Sequence, residues 1–170
     1  NSRMLNSARE GLRSPVGGAT VELRDGDVYL SSGEGQPARQ LKQRPAGSTD
    51  EFVAPVSWSP DGTHFALWCE RKQPARKYQV VDSLKAETRE INYDKPGDPR
   101  TERVAWVFRA DGKGAAACHS ELTGKTYSTD RLDWSADSKL LRSEYIRRGF
   151  TGHGVVAYDV TAGVWRKLFA

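Results

Sequence analysis

Two cysteines and a single methionine in 170 residues exclude a disulfide scaffold and leave little material for a thiolate-built metal centre. Cys69 and Cys118 read as buried free thiols, and the sequence leaves open whether they meet. Histidine is scarce as well. Cys118 and His119 are adjacent, so on a strand they point to opposite faces, while His64 and His153 stand alone; no metal site and no cofactor are expected. Long apolar runs are missing: nothing approaches the roughly 18 residues of a spanning helix, so no membrane partner is expected. The opening NSRMLNSAREGLRSP lacks the apolar core of a secretory signal, which suggests a chain that begins after any targeting segment or never had one. Charge of one sign is not concentrated either. The 26 Lys and Arg are scattered among 22 Asp and Glu, and the +4 balance comes without the basic stripe and aromatic platform of a nucleic-acid binder.

Catalytic motifs are also absent. A nucleophile elbow needs G-x-S-x-G, a strained turn that exposes the serine, and the sequence has no such pentapeptide. Ser, His and Asp all occur, yet no serine has an activating context, and no catalytic residue is assigned. GKT at Gly124 to Thr126 resembles the end of a phosphate-binding loop, but the upstream glycine would fall on His119.

What the chain does have is β pattern. Hydrophobic residues make up 37%, with five Trp and six Tyr, enough to bury the core of one domain. Residues 1–18 show no sustained period and read as a flexible arm. From Ala19, ATVELRDGDVYLSS alternates on both sides of Asp25-Gly26, a tight hairpin turn. GEGQPARQL reads as a turn and a strand, and RPAGSTDE as a polar loop. PVSWSPDGTHFALWCER places a half-buried hairpin around Ser-Pro-Asp-Gly: Pro60 presets the first corner, Asp61 caps it and Gly62 takes the strained position. Val56 and Trp58 share a face before the turn, and Phe65 and Leu67 share one after it. KYQVVDS then reads as a third strand and ETREINYDKPG as a fourth, stopped by Pro96 and Gly97. RVAWVF is a further strand, and GAAACHSELTGKTYSTD is Ala-rich enough for a short helix.

The first hairpin motif returns as RLDWSADSKLLRSEYIRR. Trp134 corresponds to Trp58, Ser135 to Ser59 and Asp137 to Asp61, while Ala136 and Ser138 replace the proline and glycine, so weaker local restraints hold this turn. GVVAYDVTAGVWRKLF adds two strands across Asp159 to Gly163. A hairpin opening on a buried Trp, followed by another ending in D-x-x-x-G, is the pattern of a β-propeller blade. The fold expected is all-β: about three antiparallel blades of an incomplete propeller over 19–170, with blade starts near 56 and 132. The interval between the two Trp motifs is too long for one blade, so it holds an insertion or an extra strand pair, with the Pro-rich loop and the Ala-rich stretch as candidates.

The ordered set WSPDGTHFALW, YQVVD, NYDKPGDP, VAWVF, RLDWSADSKLLRSEYIRR and YDVTAGVWRKL resembles the N-terminal propeller region of the dipeptidyl peptidase IV family of serine peptidases. Tyr93, Pro96 and Gly97 are similar to a loop of that family. The resemblance implies a propeller that precedes an α/β-hydrolase domain cleaving after proline near a peptide's N-terminus, a domain these residues do not contain. It also implies a periplasmic or secreted setting. The family's paired glutamates that hold the substrate amine have Asp50 and Glu51 as their only counterparts here, an unlike pair without the family's aromatic context. The expected role is a non-catalytic part of the wall and substrate entrance of a catalytic chamber, reached by the peptide substrate in the full enzyme. The partner expected is the remainder of a longer peptidase chain or another copy of this one, because blade faces without neighbours invite association. The alternative is a stand-alone propeller-like module that binds a protein or peptide across strand edges.

Overall fold

The computed structural model describes residues 13–42, 49–73, 77–82, 84–85, 87–92, 101–119, 122, 126–128, 131–147 and 149–169. Its named elements are strands. The first hairpin joins β1 (Thr20–Arg24) to β2 (Asp27–Ser31), and β3 (Arg39–Lys42) pairs with β2. Asp25 and Gly26 both have positive φ, 50° and 81°, the backbone of a type I′ turn, whose twist matches that of the flanking strands. Arg13 bridges to Thr20 on the free side of β1.

A second sheet is ordered β4 (Asp50–Trp58), β5 (His64–Arg71), β8 (Glu102–Arg109) and β9 (Ala115–Ala117). Between β5 and β8 the chain forms a separate hairpin of β6 (Lys77–Asp82) and β7 (Glu87–Asn92), which pair only with each other. In the third sheet β12 (Leu140–Arg147), β13 (His153–Asp159) and β14 (Val164–Phe169) follow in order. Its first strand comes in two pieces: β10 (Thr126–Ser128) pairs with the Tyr145–Arg147 end of β12, and β11 (Asp133–Trp134) with the Leu141–Arg142 end. The three sheets are the N-terminal, middle and C-terminal blades.

The core is two seams between these blades. Val21, Val28, Leu30, Phe52, Val56, Phe65, Leu67 and Phe108 fill the first, where Phe65 stacks on Phe108 at 5.2 Å and Phe52 meets Trp106 edge-on at 5.8 Å. Ala66, Trp68, Ala105, Val107 and Cys118 meet Leu141, Tyr145, Val156, Tyr158 and Trp165 in the second.

Four expectations change. Phe65, Ala66, Leu67 and Trp68 are all buried, so β5 belongs to a hairpin covered on both faces, not a half-buried one. The strands β6 and β7 are not the third and fourth strands of the blade; alternation identifies a strand but not the sheet it joins. They are the extra strand pair in the long interval. Ala115–Ala117 form an edge strand rather than a helix, since pairing with β8 and the bond from Trp165 Nε1 to Ala116 O outweigh alanine's helical preference. Finally, the segment read as an arm is ordered in its last six residues: Ser14 is buried and its N–H donates to Ala19 O at 2.7 Å. Residues 1–12, Tyr93, Pro96 and Gly97 lie outside the described residues.

Gly154 sits opposite Tyr145 across β12 and β13, and a Cβ there would fall 2.4 Å from the Tyr145 hydroxyl and 2.6 Å from Phe169 O. The Tyr145 ring occupies the space a side chain would need. Gly154→Ala is therefore expected to cost about 1–3 kcal/mol through overpacking, read as a lower urea midpoint; an unchanged midpoint would show that the ring is free to move away.

Candidate functional site: the turns that join the blades

Each blade has the same polar turn just before the strand β1, β5 or β12, built on a serine whose N–H donates to the carbonyl five residues on: Ser14 to Ala19, Ser59 to His64 and Ser135 to Leu140. In the middle blade the Ser59 hydroxyl donates to Asp61 Oδ1 at 2.6 Å and accepts the His64 N–H at 3.0 Å. The same oxygen of Asp61 accepts the Thr63 N–H and hydroxyl. Ser135 and Asp137 repeat this, with Lys139 and Leu140 supplying the N–H groups. Gly62 and Ser138 occupy equivalent left-handed positions, φ 69° and 60°.

The turns interlock across the seams. Trp134 Nε1 donates to Ser57 O at 3.1 Å, the Ser57 hydroxyl donates to Leu132 O at 2.7 Å, and the Asp61 N–H donates to the Ser138 hydroxyl at 3.0 Å. Ser138 thus replaces glycine with a side chain that binds the neighbouring blade. On the other side Gly62 is needed bare, because a Cβ there would lie 2.7 Å from Ser14 Oγ. The sequence singles out Trp58, Asp61, Gly62, Trp134 and Asp137, marks Ser138 only as a weaker substitute for glycine, and gives no role to Ser14 or Ser57. The signal for the first was present: Ser14-Pro15-Val16-Gly17 spells the turn of Ser59-Pro60-Asp61-Gly62 without its aspartate.

Burial by itself raises the Asp61 carboxyl, but hydrogen bonds from Ser59 and Thr63 and the nearby His64 outweigh it and hold the group below its ordinary value. Asp137 is lowered by the Ser135 hydroxyl and the Lys139 N–H. His64 is lowered chiefly by burial, with Asp61 opposing. Ser59, Asp61 and His64 are no catalytic triad. The fully buried Ser59 hydroxyl donates to the carboxylate and not to the imidazole, whose Nδ1 lies 2.8 Å from Thr63 Oγ1.

Asp50 and Glu51 open strand β4 rather than closing a loop, so their side chains leave opposite faces of it. Asp50 holds Arg71 at 2.7 and 3.0 Å, and Glu51 holds Lys72 at 2.5 Å. The two carboxylates do not converge on one point, and each already has a cation. Cys69 belongs to the first seam and Cys118 to the second, both free. Burial pushes their thiols up, to about 11 and about 12, and the charge of Asp50 adds to the first. Among the described residues no group of three or more His, Cys, Asp or Glu is placed to hold a metal ion.

Antiparallel blades packed face to face through aromatic seams, each entered by the same turn, define a segment of a β-propeller. The chain belongs to the family of the dipeptidyl peptidase IV N-terminal region, which its sequence matches over residues 46–168. Its fold is similar to that of the Porphyromonas gingivalis dipeptidyl peptidase 4, with a TM-score of 0.68 at 14% identity over 92% of this chain and 24% of that one. It is also similar to a putative dipeptidyl aminopeptidase IV from Bacteroides ovatus, with a TM-score of 0.59 at 19% identity over 88% and 22%. The chain therefore spans about a quarter of the length of these structures. No curated protein matches it.

Two outcomes follow from the turns. Ser138→Ala removes the acceptor of the Asp61 N–H and is expected to cost about 1–2 kcal/mol, while Ser138→Gly recovers about 0.5–1 of that by relieving the left-handed backbone. Equal urea midpoints for Ser138→Ala and wild type would remove the hydroxyl from the seam. Because the folded carboxyls of Asp61 and Asp137 are depressed, their contribution is present above the ordinary carboxylate pKa and is lost as pH falls through the folded values. The share of thermal stability that Asp61 and Asp137 supply should be constant above about pH 5 and be lost below about pH 4, so the fall below about pH 4 should be less steep in an Asp61→Asn, Asp137→Asn double variant, while the depressed His64 gives a separate decline that begins as pH falls through the ordinary imidazole pKa. An identical acid slope in that variant would contradict this assignment.

Proposed function

We propose that this chain is a non-catalytic propeller segment of a dipeptidyl-peptidase-like serine peptidase, and that its blades form part of the wall and substrate entrance of the catalytic chamber. The observation that carries the reading is the family match over residues 46–168 in a chain with no G-x-S-x-G nucleophile. The buried, carboxylate-bound Ser59 supports it, since the seam spends its serines on structure. Substrate would be a peptide with proline near its N-terminus, handled by a hydrolase domain elsewhere in a longer polypeptide. The chain's partner is that remainder.

The isolated chain is expected to show no turnover of a Gly-Pro-p-nitroanilide substrate above buffer, followed by absorbance. Turnover that co-purifies with the chain through successive columns would overturn the non-catalytic reading. In a peptidase polypeptide that contains these residues and a hydrolase domain, deletion of residues 46–168 is expected to abolish or strongly reduce hydrolysis of proline-containing peptides. Unchanged hydrolysis after that deletion would remove the chamber-wall role.

A further inference from the structure

His64 begins β5, and the period of two puts it on the same side of the strand as Ala66 and Trp68, toward the C-terminal blade. There its ring centre lies 6.2 Å from that of Trp134, whose Nε1–H crosses the second seam to Ser57 O. The turn does not need an imidazole at this place. The equivalent positions of the other two turns, five residues after the serine, are held by Ala19 and Leu140.

The hydrogen bonds of the turn fix where the neutral ring carries its proton. A threonine hydroxyl has one hydrogen to give, and Thr63 Oγ1 lies 2.8 Å from Asp61 Oδ1 and 2.8 Å from His64 Nδ1. Asp61 also accepts from the Ser59 hydroxyl and the Thr63 N–H, and these bonds hold its carboxyl below the ordinary value, so it acts as an acceptor only. The Thr63 hydrogen therefore goes to the carboxylate, which leaves the lone pairs of Oγ1 for a donor. Neutral His64 is then the Nδ1–H form, with Nε2 as the bare, basic nitrogen.

Arg109 stands directly opposite His64 across β5 and β8, and its guanidinium is paired with Asp111 at 3.1 and 2.6 Å. Asp61 lies in the turn that leads into the strand. From the C-terminal blade the facing group is the Trp134 indole, and among the described residues none of the charges that act on His64 comes from that blade. Asp61 and Asp111 favour an imidazolium, while burial and Arg109 oppose it. Burial is the largest of these effects and sets the direction, which is downward.

We propose that His64 is a pH-sensitive contact built into the second seam: a proton taken up at Nε2 places a charge beside Trp134, between the middle and C-terminal blades, and loosens the seam at that end while leaving the first seam intact. The Nδ1–H stays bound to Thr63 in both forms, so the turn keeps its hydrogen bonds and the cost falls on the contact with Trp134. Because the folded imidazole is depressed, the seam is tightest above about pH 7 and loosens as pH falls through the ordinary imidazole value of about 6.5. The contact lies within the chain, so it operates whether or not the segment walls a peptidase chamber.

Two measurements test it. Nitrogen NMR of the isotopically labelled chain at about pH 7.5 should show Nδ1 protonated and Nε2 bare, a pattern kept in Thr63→Ser and shifted toward the Nε2–H form in Thr63→Val. Hydrogen exchange, expressed as protection relative to each group's intrinsic rate, should show the Trp134 indole N–H and the Asp61 N–H losing protection several-fold between about pH 7.5 and about pH 5.5, a range in which the depressed carboxyls of Asp61 and Asp111 stay ionised. Amides of the β1–β2 hairpin should keep theirs. His64→Asn, which retains an N–H donor toward Thr63 and carries no charge at any pH, should abolish the loss. The proposal is overturned by an Nε2–H tautomer in the wild type, by protection that is constant or rises on acidification, by an equal loss across the N-terminal blade, or by the same loss in His64→Asn. The wild-type readouts decide it even if a variant does not fold.

Discussion

Strand β5 has no solvent face, and most of the structure follows from covering it. Phe65 and Leu67 need apolar cover on one side, and Ala66 and Trp68 on the other. A single sheet cannot supply both. The N-terminal blade meets the first demand with Val21, Val28 and Leu30, and the C-terminal blade meets the second with Leu141, Tyr145 and Tyr158. At roughly 25 cal/mol for each Å² of apolar surface removed from water, losing either neighbour would expose a row of aromatic and aliphatic side chains that no local interaction replaces. The middle blade therefore depends on both of its neighbours.

Apolar packing brings blades together without choosing how far they slide. The polar turns make that choice. Trp134 reaching Ser57 O, Ser57 reaching Leu132 O and Asp61 N–H reaching Ser138 all lie at one end of the second seam, and a shift of one residue would break every one of them. The aspartates serve the turns: Asp61 Oδ1 accepts from Ser59 and Thr63, as Asp137 Oδ1 does from Ser135 and Lys139. A segment whose serines and acids are committed in this way is suited to forming a wall of fixed shape, which is the role proposed for it.

Features whose cause is local were legible in the sequence. Asp25-Gly26 needs only a positive φ to define its hairpin, and the two Trp-Ser-x-Asp turns carry their own caps. Where the cause is distant, the sequence misleads. KYQVVD alternates as any blade strand does, and only the pairing of β5 with β8 shows that β6 and β7 lie outside the blade. Ala115–Ala117 has the composition of a helix and becomes a strand because β8 offers a free edge and Trp165 a donor. Asp50 and Glu51 look like loop acids until Arg71 and Lys72 are seen across from them.

The sequence by itself determined the strand periodicity, the turns, the repeat of the Trp motif and the family, because each depends on residues close together along the chain. Only the tertiary structure decided which faces form the two seams. A period of two assigns side chains to opposite sides of a strand but carries no information about what covers either side. Ala66 alternates with Phe65 and Leu67 along β5, and only the packing shows that the C-terminal blade closes over the first while the N-terminal blade closes over the other two.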